Sequence, residues 1–251
     1  AALLGEFLTS VVKSGAGSVR AIAMALDFDA PDSIRLASFV QSELKTREFR
    51  SVRDIPFAAG EASMSAEAAK IMQSRAELVI AIGTIGDAAR LLKALREARY
   101  NGNIAFLPSR SSNRRQIFEK LGNDAEGLLV PSGFAADQAA KKPSIAAINT
   151  LYRSFAKRDL DDFSAQQFTA FLSLVSAVDD SVTAQPQDVH KKLAALEFNG
   201  FATIMPWRRL AFDQTGQNTG AQVVMVQRIN GRTVTVFPSD RALGKALWRG
   251  V

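Results

Sequence analysis

The residues of this chain that could do chemistry are few, and their types point to binding rather than to making or breaking bonds. The 251 residues include no cysteine and a single histidine, His190. Thiol nucleophiles, disulfides and zinc–cysteine sites are therefore excluded, as are metal sites built from several histidines. Paired carboxylates occur at Asp161-Asp162 and Asp179-Asp180, but each pair borders a helical run, where caps and turns account for it. Gly83-Thr84-Ile85-Gly86 follows an apolar run. It is half of a dinucleotide fingerprint, lacks G-x-G-x-x-G and reads as a turn into a helix. What remains is a scatter of short polar residues and one arginine, Arg110, at the ends of apolar runs. Such residues hold a small solute by hydrogen bonds and ion pairing.

The elements that must position these residues follow from hydrophobic spacing. Helical patterns cover residues 3–13, 33–46, 66–74, 87–99 and 114–121. Between them lie short runs at 20–26, 51–56, 78–82, 104–107 and 128–131 that are apolar rather than alternating. Strands of that kind are covered on both faces, which implies an α/β fold with a parallel sheet flanked by helices. From 138 to 196 the pattern becomes helical only, over 144–157, 165–178 and 186–196, and a strand is expected at 201–205. Near the end, two alternating runs at 223–227 and 233–237 flank Asn230-Gly231. Asn-Gly permits φ > 0 at both central positions of a two-residue turn, so a hairpin is expected there. The polar segment between them and the helical block, 213–220, cannot be core. Expected caps are Asp32 before the second helix, Ser65 before the third, an Asn113/Gln116 capping box and a Ser164/Gln167 capping box.

Composition bounds the partners. The chain is 47% hydrophobic and 22% charged with a formal charge of +6. Its basic residues are spread along helices, with only short pairs such as Arg114-Arg115 and Lys191-Lys192, and it has 2 Trp and 2 Tyr. A nucleic-acid binder would cluster its basic residues among stacking aromatics, so no nucleic-acid partner is expected. No apolar run reaches the ~18 residues that a membrane span needs.

The order of these features resembles the solute-binding proteins of branched-chain amino acid (Leu/Ile/Val) ABC transporters. The resemblance is carried by the closing stretch Phe212-Asp213 to Gly216-Gln217-Asn218 with its strand pair around a Gly turn, by Ala125-Glu126-Gly127-Leu128-Leu129-Val130, by the helix at Leu91–Arg99, and by the aromatic-rich helix around Phe168. It implies a type I periplasmic-binding-protein-like fold: two lobes with parallel sheets flanked by helices, joined by hinge crossovers. The lobes would be residues 1–133 plus 208–240, and 134–207, with a tail at 241–251. It further implies that the chain starts at the family's second lobe, that the N-terminal part of the first lobe is not in this sequence, and that the helical block 138–200 shows an uncovered apolar face. The implied function is non-catalytic capture of a small solute for a membrane permease of an ABC transporter, without a cofactor, in the periplasm or anchored outside the cell. The other reading, on the same fold, is a ligand sensor or regulatory interaction protein without transport.

Ligands of open parallel sheets bind beyond the carboxyl ends of the strands. The candidate contacts are therefore Asp32, Ser33, Gly83, Thr84, Ser109, Arg110 and Ser111, with apolar area from Phe134 and Phe168. The resemblance sharpens the expectation, because Arg110 stands where the family places a carboxylate for the ligand's ammonium. Arg110 favours a carboxylate-bearing ligand over a free amino acid held in the family's usual way. Asp32 reads either as a helix cap or as a contact, and Phe168 either as core or as pocket.

Overall fold

The computed structural model describes residues 1–49, 52–109, 114–200 and 203–249. The chain divides into two units, Ala1–Pro131 with Met225–Val251, and Ser132–Val224.

The first unit is built on one sheet. Strand β1 (Ile22–Asp27) lies inside the sheet and is fully buried, as is β3 (Leu78–Gly83). β4 (Asn103–Pro108) and β5 (Leu129–Ser132) follow on one side and β2 (Val52–Phe57) on the other. These five strands pair in parallel. Two more, β8 (Val224–Ile229) and β9 (Arg232–Phe237), complete a seven-stranded order β2-β1-β3-β4-β5-β8-β9. The chain is thus α/β with a mostly parallel sheet, as the apolar runs predict. β2 differs from the others in alternating exposed and buried residues, which fits its place at the edge and tolerates Pro56 within it.

Helices cover the sheet by their apolar stripes. α1 (Ala2–Lys13) buries Leu4, Phe7, Leu8 and Val11, one face of a 3.6-residue period. α2 (Pro31–Thr46) buries Ala37, Val40 and Leu44, and α4 (Ile85–Glu97) buries Ala88, Leu91, Leu92 and Leu95. α3 (Ser65–Ser74) and α5 (Arg114–Leu121) complete the set in this unit. The core runs from α1 through β1, β3, β4 and β5 to Met225 and Val236 of the final hairpin. Each such large apolar side chain contributes about 1.5–3 kcal/mol on burial.

The hairpin is as expected: β8 and β9 pair antiparallel, and Asn230 (φ 50°) and Gly231 (φ 70°) both take the left-handed region. Its turn is held from outside by Glu126, whose carboxylate accepts the backbone N–H groups of Asn230 (2.7 Å) and Gly231 (3.2 Å).

The second unit holds α6 (Pro143–Ala156), α7 (Asp162–Asp179), α8 (Pro186–Ala194) and a small antiparallel pair, β6 (Glu197–Asn199) with β7 (Arg209–Ala211). Its core is a cluster of Phe134, Ile145, Leu160, Ala165, Ile204 and Met205. Large apolar side chains of α6 and α7 stay exposed, among them Leu151, Phe155 (80%) and Phe171 (65%).

Several local expectations are corrected. α2 begins at Pro31 with Ala30 as its cap residue, so Asp32 lies inside the first turn and is not the N-cap; proline at N1 sets the start instead. α3 begins at Ser65 itself, behind Met64, with no side-chain cap. The capping box of α7 is Asp161/Ser164, not Ser164/Gln167: Asp161 Oδ1 accepts from Ser164 N (2.9 Å) and Ser164 Oγ accepts from Asp161 N (2.8 Å). A carboxylate one turn earlier outcompetes the serine for the free N–H groups. Residues 203–205 form bends rather than a strand, the local pairing being taken by β6 and β7, while residues 201–202 and Asn113 lie outside the described residues.

Candidate ligand site

The strand order places one feature above all others. Going from β1, the chain crosses to β2 on one side and then back to β3 on the other. In open parallel sheets ligands bind at such a reversal, here beyond the carboxyl ends of β1 and β3.

At the end of β1 stand Asp27, Phe28 and Asp29. Asp27 is buried, and its Oδ1 accepts the Asp29 N–H (3.1 Å), which bends the chain away from the strand. Phe28 is half-exposed, held by its N–H to Phe57 O (3.2 Å). Asp32 follows on the first turn of α2, exposed and 3.9 Å from Arg35. Ser33 is closed to solvent, and its Oγ has no hydrogen-bond partner among the described residues.

At the end of β3, Gly83 sits in a tight place. A Cβ there would lie 3.1 Å from Asp87 Oδ2 and 3.2 Å from Phe57 Cζ. Thr84 is the N-cap of α4 and forms a capping box with Asp87: Asp87 N donates to Thr84 Oγ1 (3.3 Å), and Thr84 N donates to Asp87 Oδ2 (2.9 Å). Asp87 is buried and also receives Arg90. The first turn of α4 is flanked by cations, with Arg90 Nη1 at 3.5 Å and Lys120 Nζ at 3.9 Å from where a Gly86 side chain would begin. Ser109 is tied to the same end of the sheet by its N–H to Gly83 O (3.0 Å).

The structure therefore brings Gly83, Thr84 and Ser109 together, with Asp32 on the neighbouring βα turn. Arg110 and Ser111 lie outside the described residues. Phe134 and Phe168 belong to the second unit, where Phe134 is buried in the core cluster and Phe168 packs against it. Beside them Asp162 is buried, its Oδ1 accepting from Ser132 Oγ (2.8 Å) and Phe134 N (3.0 Å). Sequence reasoning places residues 27–32 at a ligand-facing strand end but does not single out Asp27, Phe28 or Asp29, nor Asp87. The available signal was the acidic Asp27-Phe28-Asp29 run between an apolar strand and Pro31. Carboxylates gather at the β1 end, whereas beside α4 Arg90 is paired with Asp87, Lys120 adds an ammonium and the helix N-terminus adds partial positive charge. Strand ends so furnished can hold a small polar solute by hydrogen bonds. Among the described residues, no group of three or more His, Asp or Glu could hold a metal ion.

Comparison with known proteins fits this geometry. A family model described as periplasmic binding protein matches residues 8–240. The chain belongs to the periplasmic binding protein family. Comparison with curated proteins by sequence gave no match. Among solved structures it is similar to a leucine binding protein from Thermotoga maritima, with TM-score 0.73, 17% identity, and 92% of this chain and 63% of that one covered. It is also similar to a branched-chain amino acid transporter substrate binding protein from Streptococcus pneumoniae in complex with isoleucine (TM-score 0.71, 14% identity, covering 92% and 62%). A third is an ABC transporter solute binding protein from R. palustris in complex with benzoate (TM-score 0.70, 15% identity, covering 98% and 63%). At these identities the likeness is one of fold, that of type I periplasmic binding proteins. The chain spans a little under two thirds of the length of these relatives. No helix among the described residues is long and apolar enough to cross a membrane.

Proposed function

We propose that this chain is the non-catalytic substrate-binding component of an ABC uptake transporter, working in the periplasm or outside the cell. It captures a small carboxylate-bearing or amino-acid-like solute and presents it to a membrane permease. The observation that carries this reading is the strand-order reversal at β1/β3, with the capped N-terminus of α4 and Lys120 beside it. Isoleucine and benzoate, the ligands of two of the similar structures, share a carboxylate, which the basic side would receive. In this reading Asp32, Gly83, Thr84, Ser109, Arg110 and Ser111 line one wall, with Ser33 behind it. Residues 1–133 with 208–240 form one lobe, and 134–207, bringing Phe134 and Phe168, belong to the other. Capture then proceeds by hinge closure, ligand contacts from both lobes stabilising the closed form.

The test is a thermal-denaturation screen of the protein against aliphatic and aromatic carboxylates and amino acids. A ligand at a hundred times its Kd stabilises by about 2.7 kcal/mol, a shift of roughly 5–10 °C for a domain of this size. Small-angle scattering with that ligand should show a smaller radius of gyration. Absence of any thermal response across the panel counts against solute capture, and binding without compaction counts against hinge closure.

A further inference from the structure

In α7 the usual amphipathic arrangement is inverted. The face it turns to its own unit is built of small residues four apart, Ala165, Thr169, Ser173 and Ala177, all buried. Thr169 and Ser173 satisfy their hydroxyls on the helix itself, donating to Ala165 O (2.9 Å) and Thr169 O (2.8 Å). The large apolar residues are the exposed ones: Phe163, Phe171, Leu174, Val175 and Val178, with Val182 just beyond the helix. A surface helix ordinarily buries its large apolar side chains.

At ~200 Å² for a phenylalanine and somewhat less for leucine and valine, this stripe shows solvent about 600 Å² of apolar side chain. A standard interface takes about 800 Å² from each partner, so the stripe supplies most of what a dimer needs and a polar rim the remainder.

Two features identify the partner as a second copy. The first is self-complementarity, since a two-fold axis makes one patch serve both copies. The apolar positions are spaced almost evenly about the middle of the helix. Turned end over end, Phe163 falls opposite Val182, and Phe171 opposite Leu174. The second is charge. No charged residue lies between Asp162 and Asp179, as suits the dry centre of a contact. The two ends differ. Asp179 and Asp180 stand at the C-terminus, the negative pole of the helix, and pair with no cation among the described residues. Shortly before the N-terminus, the positive pole, comes the exposed Lys157, whose Nζ donates to a carbonyl, Ser154 O (2.7 Å). Antiparallel pairing sets the acidic end of each copy beside the positive pole of the other; parallel pairing sets like against like. A membrane surface fits less well, because an interfacial helix borders its apolar face with Lys and Arg, and α7 contains neither.

We propose that the exposed stripe of α7 is a homodimer interface, in which two copies of this chain pack α7 against α7 antiparallel, about a two-fold axis near Phe171 and Leu174.

Sedimentation equilibrium of the 251-residue chain should show its mass rising with concentration to twice that of one chain and no further. Phe171→Glu changes an exposed position and would place a charge on each side of the axis, so it should weaken association roughly a hundredfold or more. Because the chain has no cysteine, an introduced one reports on this contact alone. Phe163→Cys and Val182→Cys chains should form a mixed disulfide when oxidised together and no disulfide when oxidised separately. A monomer at every concentration, assembly beyond the dimer, association indifferent to Phe171→Glu, or a disulfide formed by the Phe163→Cys chain alone overturns the proposal. So does a monomer that floats with anionic lipid vesicles, the mark of a membrane-bound helix. Should Phe171→Glu not fold, the mass of the unaltered chain and the pair of cysteine variants decide the matter.

Discussion

At the scale of single residues, the stretch that carried the family resemblance has a physical explanation. Asp213 Oδ1 accepts from Thr215 N (2.8 Å), Thr215 Oγ1 (2.7 Å) and Gln217 N (3.0 Å), closing a surface loop on one carboxylate. Gly216 turns the chain at φ 79° between them. The Thr215 hydroxyl and the two backbone N–H groups hold the Asp213 carboxyl below its ordinary pKa. A depressed carboxyl stabilises the fold above the unfolded-chain pKa and loses that contribution as pH falls through the lower, folded value. Amide exchange at Thr215 and Gln217, measured against pH, should therefore show the loop intact through the ordinary aspartate range and opening only below it. In Asp213→Ala the loop should be open at every pH. Tyr100 behaves in the opposite sense: burial, then the charge of Glu77, pushes its hydroxyl above its ordinary pKa, while it donates to Ala76 O (3.0 Å). Its contribution is complete below the ordinary tyrosine pKa and is lost as pH rises through the folded value. Ultraviolet titration should show Tyr100 withholding its phenolate signal until the chain unfolds in alkali. Tyr100→Phe, which removes the hydroxyl, should lower stability by about 1 kcal/mol in urea denaturation.

At the scale of elements, the sequence was most legible where one local rule decides the outcome. Asn230-Gly231 determines a hairpin because few residues tolerate two consecutive positive φ values, and apolar strands such as β3 announce their burial on both faces. Caps were less legible, since several short polar residues compete within one turn and the winner depends on where the backbone enters. Asp161 defeated Ser164, and Pro31 displaced Asp32, for that reason. The candidate site was legible in its Gly83-Thr84 half, where a strand ends in a turn. Its acidic half was legible only as a strand end, because nothing singles out Asp27 until β1 and β3 are known to be neighbours. Glu126 was legible only as part of a motif, its partner lying a hundred residues away. Glu126→Ala should free the N–H groups of the hairpin turn and cost about 1–2 kcal/mol, read as a lower urea midpoint with quicker exchange at Asn230 and Gly231. Thr84→Ala removes a cap and should cost about 1 kcal/mol in the same measurement; it should also weaken any ligand held against the first turn of α4.

At the scale of the whole molecule, the two units differ in how they are held. The first has a continuous core of strands covered by helices, whereas the second rests on a smaller cluster and leaves Phe155 and Phe171 exposed. Fewer buried apolar contacts mean cheaper local opening. Native-state hydrogen exchange should therefore find the amides of α6, α7 and α8 exchanging before those of β1, β3 and β4; uniform protection would show that the second unit draws stability from elsewhere. The strand order has a further consequence during synthesis. β5 leaves the ribosome before the whole of Ser132–Val224, and its neighbour β8 comes only afterwards. At ~5–20 residues per second that wait is on the order of ten seconds. Throughout it the nascent sheet presents an open hydrogen-bonding edge at Leu129 and Val130, a template for any stray strand. Holding that edge is a task for whatever escorts the growing chain, and the final hairpin is what ends it.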